Sequence, residues 1–184
     1  MRTKRKEQFY TLCFCIKEGQ VLMIYRNKEP YKHNWNGIGG KIEKEESPLE
    51  AIYREVWEEA SIDLNRANSL KYRGILSRKD RNSEGYVRIY TFIAHIDSID
   101  IENNNPDTKE GTLAMKNLKW VCNKKNSNIV CEIPYFLPHM LAEENIYHYY
   151  CEYENEKFRK INICPLLEDY LGIHKKLRFP RHAM

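Results

Sequence analysis

The sequence predicts an α+β fold, and three observations predict it. Segments with strand-like alternation outnumber helical ones and are interspersed with them. Residues 47–61 carry a full set of helix start signals ahead of an amphipathic stripe. The chain has 184 residues, ample for one core and short for two, so a single domain with a short appendage is expected.

In chain order, "FYTLCFCI" and "QVLMIYR" are strands flanking Glu18 and Gly19, a hairpin signal. The loop "NKEPYKHNWNGIGG" follows, rich in turn residues and in glycine, which lets a backbone approach a ligand closely. Ser47 then serves as N-cap, Pro48 takes the first helical position, and Glu50 completes a capping box. The helix should run to about Ser61, burying Leu49, Ile52, Tyr53, Val56 and Ala60, with Glu50 and Arg54 able to pair one turn apart. "LKYRGILS" and "GYVRIYTFIAHI" are longer strands, residues 96–112 an acidic, turn-rich loop, and "NLKWVC" another strand. A helix covers "IPYFLPHMLAEEN", started or interrupted at Pro134 and Pro138. "IYHYYCEY" and "KFRKINI" form a hairpin around residues 154–156, and "LRFPRHAM" is a tail.

Composition narrows the function classes. Apolar residues make up 42% and charged residues 30%, with no run near the roughly 18 apolar residues of a membrane helix. The basic start has a short apolar run without a small-residue cleavage site, so no signal peptide and a cytoplasmic location are expected. The six cysteines lack zinc-ligand spacing and are expected to be reduced. A net charge of +4 suits an anionic ligand but gives no clustered stripe for nucleic acid.

Glu55, Glu58 and Glu59 share one helical face at spacing i, i+3, i+4. Two readings are open from the helix alone. The glutamates are a solvated face, or they hold a hard divalent cation, which removes the repulsion between like charges one turn apart.

The longer spacing is more specific. Gly40, Glu46, Arg54, Glu55, Glu58 and Glu59 match six of the seven fixed letters of G-x5-E-x7-R-E-U-x-E-E-x-G-U, with U aliphatic, and Val56 and Ile62 fill its aliphatic positions. At about 7% per letter, six matches arise by chance about once in ten million starts. The stretch closely resembles the Nudix box, departing from it at Ser61 where the pattern has the glycine that ends the helix.

The resemblance implies a Nudix α/β/α sandwich with a mixed β-sheet and a loop-helix-loop, and a hydrolase of nucleoside diphosphates linked to another group. It implies that Glu55, Glu58 and Glu59 bind Mg2+ or Mn2+ with the Gly39 carbonyl, and that Arg54 and Glu46 form a bracing ion pair. Glu55 or Glu58 is the candidate base, and Glu110 is either a further ligand or base, or a solvent-facing loop residue.

Flanking segments resemble the MutT-like oxidised purine nucleoside triphosphatases over residues 9–163. "YTLCFCI" and "WNGIGGKI" match their first strand and pre-box loop, and "EIPYFLPHML" matches the helix closing the base pocket. Asn36 is then the base reader, unless it is an ordinary turn residue beside Gly37, and Trp35 is loop packing. Thr11, Tyr90, Phe92, Glu132 and Phe136 are candidates for the pocket, with Pro138 as a landmark; Arg26, Lys41 and Arg88 are candidates for the phosphates.

The expected activity is therefore cleavage of 8-oxo-dGTP or a similar triphosphate to monophosphate and pyrophosphate. The alternatives are ADP-ribose, another nucleoside diphosphate derivative, a capped RNA end, or a nucleotide-sensing regulator without activity. A nucleotide is the expected partner, with no membrane, no stable nucleic-acid partner, and a monomer or homodimer. The domain is expected over residues 1–163, with a helix or tail extension over 164–184.

Overall fold

Strand β1 (Gln8–Lys17) turns into β2 (Gln20–Arg26) through Glu18 and Gly19, both at positive φ, a two-residue connection matched to strand twist. The two strands pair only at Ile16↔Val21 and Lys17↔Gln20 before diverging. That divergence opens the molecule where the cleft forms. β2 goes on to pair with the two-residue β3 (Trp35–Asn36) and with β6 (Gly111–Asn117), whereas β1 pairs in parallel with β5 (Tyr86–His95).

The computed structural model describes residues 7–79, 85–97 and 107–166. Among these, eight strands form one mixed sheet in the order β3-β2-β1-β5-β4-β7-β8, with β6 against β2. β4 (Ser69–Lys79) lies antiparallel to β5 and parallel to β7 (Tyr147–Glu154), and β7 returns as β8 (Lys157–Pro165) through Asn155 and Glu156, both at positive φ.

Alternation along β1 divides the core. Cys13 and Cys15 face helix α1 (Pro48–Ala60), with Leu49, Ile52, Val56 and Ala60, while Leu12, Phe14 and Ile16 face helix α3 (Ile133–Ala142), with Ile133, Phe136, Leu137 and Met140. Helices on opposite faces make the α/β/α sandwich. All six cysteines are free, and the Cys13 and Cys15 sulfurs lie 3.9 Å apart on the same strand face. No helix among the described residues is long and apolar enough to cross a membrane.

The structure corrects several local expectations. The segment 117–122 is not a strand: β6 ends at Asn117, whose side chain accepts from the Lys119 N–H and caps a short helix, α2 (Leu118–Val121). α3 is shorter than expected, with Pro138 inside it and Glu143 closing it. β8 runs to Pro165, past residue 163, so the expected boundary falls within a strand. The rest of the expected extension, from residue 167, lies outside the described residues, as do the basic residues 1–6 and much of the acidic loop.

Candidate active site

The site begins with the capping box. Ser47 accepts from the Glu50 N–H at 3.2 Å, and the Glu50 carboxylate accepts from the Ser47 N–H at 2.8 Å. Glu50 is thereby committed to the cap and does not pair with Arg54, contrary to the spacing-based expectation. Arg54 instead turns back to Glu46, with Nε 2.8 Å from Oε1 and Nη2 2.9 Å from Oε2, a two-pronged ion pair. Its remaining donors reach Glu55 at 2.8 Å, Glu58 at 3.3 Å and the Lys41 carbonyl at 3.1 Å. Arg54 and the Glu43 N–H hold the Glu46 carboxyl below the usual carboxylate range, Arg54 being the larger cause.

The Gly-rich loop packs this helix onto β1. The Thr11 N–H donates to the Gly40 carbonyl and the Cys13 N–H to the Ile38 carbonyl, so the loop runs as a short antiparallel ribbon beside the strand. A Cβ at Gly39 would stand 2.2 Å from the Thr11 carbonyl oxygen, and one at Gly40 would stand 2.4 Å from the Glu55 carboxylate. These two glycines let the loop approach the strand and the helix at once. The helix closes on Ser61 at φ 54 and ψ 28, so the serine adopts the left-handed conformation usual for the missing glycine, and its N–H donates to the Trp57 carbonyl.

Burial separates the glutamates. Glu59 is 8% exposed and accepts from the Gly39 N–H at 3.0 Å, and its carboxyl is pushed up to about 7, chiefly by burial. The negative charges of Glu55 and Glu110 add to that rise, while the Gly39 N–H and Arg26 oppose it. The Glu55 carboxyl is also raised, by burial first, with Arg54 opposing. Glu58 is more exposed, and Glu110 pairs with Lys28 at 2.7 Å.

These residues line one cleft of about 1400 Å³. Glu55, Glu58, Glu59, Glu110, Gly39, Arg26, Lys41, Asn36, Thr11, Glu132 and Phe136 all reach it. Arg54 stands behind the glutamates, within hydrogen-bonding distance of two of them. Three candidates are corrected. Tyr90 and Phe92 are buried in the α1-side core, stacked with Tyr72 at 6.3 and 5.5 Å, and Arg88 pairs with Glu7 at 2.8 Å away from the lining. Trp35 packs at 5.2 Å from Tyr25 and carries the Lys116 ammonium 3.9 Å above its ring. Phe136 is fully buried between Phe14 and Tyr149, so it serves the cleft as a wall.

Two further residues of the cleft, Tyr31 and Arg78, belong to no motif in the sequence. Tyr31 donates to Glu132 Oε1 at 2.9 Å, the Cys131 thiol donates to Oε2 at 3.2 Å, and the Arg78 guanidinium lies 5.9 Å from the Tyr31 ring centroid. These residues come from segments far apart in sequence, and only a charged residue at a strand end, Arg78, carried any local signal.

The donor set suits a hard divalent cation. Carboxylate oxygens from one helix face gather beside a backbone-lined loop, and Glu55 and Glu59 are raised chiefly by burial with neighbouring negative charges adding to it, so a cation beside them would favour their ionised form. Among the described residues no three acidic, thiol or imidazole groups already converge as a ligand set. Arg54 draws Glu55 and Glu58 aside while the Gly39 N–H holds Glu59, so binding an ion requires these side chains to turn.

Comparison with known proteins agrees with this geometry. Residues 7–130 match the NUDIX domain family model. Rat diphosphoinositol polyphosphate phosphohydrolase 2 is 34% identical over 95 residues, 49% of this chain and 50% of that protein. Dihydroneopterin triphosphate diphosphatase of Haemophilus influenzae is 29% identical over 65 residues, 35% of this chain and 40% of that protein. The chain thus spans half or less of the length of these curated relatives. Among solved structures, the MutT protein of Bacillus halodurans superposes with a TM-score of 0.68 at 23% identity, over 85% of this chain and 97% of that one. The box spacing, the sandwich and the family match lead to one assignment: the chain belongs to the NUDIX domain family.

Proposed function

We propose that the chain is a Mg2+- or Mn2+-dependent hydrolase of pyrophosphate bonds, acting on nucleoside triphosphates and chiefly on oxidised purine nucleotides such as 8-oxo-dGTP. Water is added across one phosphoanhydride bridge, giving the monophosphate and pyrophosphate. The observation that carries this reading is the mixed lining of a single cleft. Carboxylates from α1 share it with an apolar wall of Leu12, Leu76, Val87, Ile89, Ile133 and Phe136, which suits the flat face of a base.

In this reading Glu55, Glu58 and Glu59 would hold the metal, with the Gly39 carbonyl and Glu110 as further ligands. When bound, the metal neutralises phosphate charge and lowers the pKa of the attacking water. Glu55 or Glu58 accepts a proton from that water, and Arg54 with Glu46 fixes their carboxylates. Arg26 and Lys41 face the phosphate oxygens. Asn36 and Glu132 hydrogen-bond the base edge, and Thr11, whose buried Oγ1 has no hydrogen-bond partner among the described residues, supplies a further polar contact.

The similarity to a dihydroneopterin triphosphate diphosphatase supports a triphosphate. The similarity to a diphosphoinositol polyphosphate phosphohydrolase favours a rival substrate, but such a polyphosphate has no use for the apolar wall. A substrate panel decides between them: 8-oxo-dGTP, dGTP, ADP-ribose and a diphosphoinositol polyphosphate with Mg2+, in ¹⁸O water, with products identified by phosphorus NMR. The highest kcat/KM should fall on a purine triphosphate. Asn36→Ala should raise its KM about 10-fold, the cost of one lost buried hydrogen bond, and leave ADP-ribose hydrolysis nearly unchanged. Fastest turnover of ADP-ribose or of the inositol compound would overturn the substrate assignment.

A further inference from the structure

Glu110 is held differently from the glutamates of α1. Its backbone is fixed on both sides: the Asn27 N–H donates to its carbonyl at 3.0 Å, and its own N–H donates to Thr108 Oγ1 at 3.2 Å. Next to it, a Cβ at Gly111 would stand 2.0 Å from the Tyr25 carbonyl oxygen, so the start of β6 lies hard against β2. Only the Glu110 side chain is left to choose a direction. It belongs to the cleft lining and is close enough to add to the negative charge felt by Glu59.

The Lys28 ammonium stands 2.7 Å from Glu110 Oε1, yet Lys28 is not part of the cleft lining, whereas its neighbours Arg26, Glu29, Pro30 and Tyr31 are. The pair is open to water, with 53% of the Lys28 side chain and 36% of the Glu110 side chain exposed. An exposed pair of this kind is worth at most about 1 kcal/mol, enough to set the direction of a side chain and too little to withstand a divalent cation. Arg54 reaches Glu55 and Glu58 while forked onto Glu46, whereas Lys28 carries a point charge on a flexible stem.

We propose that Lys28 is a positioning residue, a resident counter-ion that holds the Glu110 carboxylate until a divalent cation displaces it. This rests on the reading of Glu110 as a further metal ligand. In the exchange the carboxylate oxygen leaves the ammonium, which stays protonated and returns to water. Lys28 therefore competes with the metal for Glu110, and removing it should tighten metal binding. A residue that only supported the loop would leave the affinity unchanged or weaken it.

Mn2+ binding to the full chain without nucleotide, read from the EPR signal of free Mn2+, tests this apart from turnover. At low salt Lys28→Met should bind Mn2+ about 2- to 5-fold more tightly than the wild type, the competition that an exposed pair offers. The ratio should approach one at about 1 M salt, where screening acts over about 3 Å. Lys28→Gln, which keeps a polar side chain and loses the charge, should match Lys28→Met. Lys28→Arg, which keeps a cation on Glu110, should bind no more tightly than the wild type. Glu110→Gln should bind Mn2+ more weakly, and Lys28→Met in that background should add nothing. In EDTA, Lys28→Met should melt within about 2 °C of the wild type.

Equal Mn2+ affinity in Lys28→Met and the wild type would overturn the proposal. A gain that persists beside Glu110→Gln would overturn it too, because it marks a general effect of one positive charge on the cleft. A larger fall in melting temperature would make Lys28 a residue of the fold and overturn its positioning role. If Glu110→Gln alone leaves Mn2+ affinity unchanged, Glu110 is no ligand and the proposal falls with that assignment. Metal-dependent hydrolysis through Glu55, Glu58 and Glu59 would then still be decided separately, by the hydrolysis panel.

Discussion

Arg54 and Arg78 flank the same cleft and are used in opposite ways. Arg54, with its side chain 26% exposed, makes five hydrogen bonds inside the protein: two to Glu46, one each to Glu55 and Glu58, and one to the Lys41 carbonyl. Its donor capacity is filled. Arg78 is more deeply buried, yet its Nε has no partner among the described residues. The glutamate wall is therefore braced before any ligand arrives, whereas on the other wall the Arg78 Nε stays without a hydrogen-bond partner among the described residues. A substitution on the first wall should disturb catalysis and folding together; a substitution on the second should disturb selectivity.

The largest effect is expected at Glu59, because it is the most buried of the three box glutamates. Glu59→Gln should lower kcat by about 100- to 1000-fold, the range for removing one preorganised electrostatic group. Its effect on metal-free stability has the opposite sign. The Glu59 carboxyl is raised from 4.5 to about 7, so between these values the folded state holds a proton that the unfolded chain has released. Stability in EDTA should then fall as pH rises from about 4.5 through 7, by up to about 3 kcal/mol, and Glu59→Gln should remove that fall. Urea unfolding at pH 5 and pH 8 measures it. The same pH dependence in variant and wild type would mean that the burial of Glu59 is misjudged.

Arg54→Met comes next, and it breaks the bracing side of the comparison. Glu46, Glu55 and Glu58 would lose their shared counter-charge, so kcat should fall about 10- to 100-fold, as for other partners that orient metal-binding groups. Stability should drop by about 1–2 kcal/mol, discounted from a fully buried pair because the network is partly exposed. Arg54→Lys should rescue little, since an ammonium cannot fork across Glu46 while still reaching Glu55 and Glu58. Activity measurements and urea unfolding on both variants check this; a fully active Arg54→Met would reduce the ion pair to surface decoration.

The same contrast explains what could be read from the sequence. The glutamate wall was legible because its cap, its brace and its box carboxylates all follow from spacing along one helix and its leading loop. The other wall was not. Tyr31, Arg78 and Glu132 belong to a loop, a strand end and a helix start, and nothing in their spacing marks their meeting. Depth along a shared face was equally hidden: Thr11 pairs with Tyr90 across β1 and β5 and so projects to the same side of the sheet, yet Thr11 lines the cleft while Tyr90 is packed into the core. Residues 117–122 were misread because an apolar run outweighed a local cue, Asn117 standing where an N-cap belongs. β6 is hard to read from the sequence because glycine and alanine blur its alternation.

The smallest effect is expected at Ser61, the strained joint at the end of the braced wall. Its backbone sits at φ 54 and ψ 28, where a side chain costs roughly 1–2 kcal/mol and glycine costs little. Glycine would also enlarge the freedom of the unfolded chain, offsetting about half of that gain, so Ser61→Gly should stabilise by about 0.5–1 kcal/mol. For a domain of this size that is about 2 °C in Tm. Ser61→Ala keeps the Cβ and should not gain, which separates backbone strain from loss of the hydroxyl. Ser61 also lines the cleft, so kinetics carry a second test. If the serine only closes the helix, kcat/KM stays within about 2-fold in both variants, because its N–H still donates to the Trp57 carbonyl and Glu59 keeps its place. A matched fall in both variants would mean that the hydroxyl serves the ligand, and that the departure from glycine at this position was kept for binding in spite of its strain.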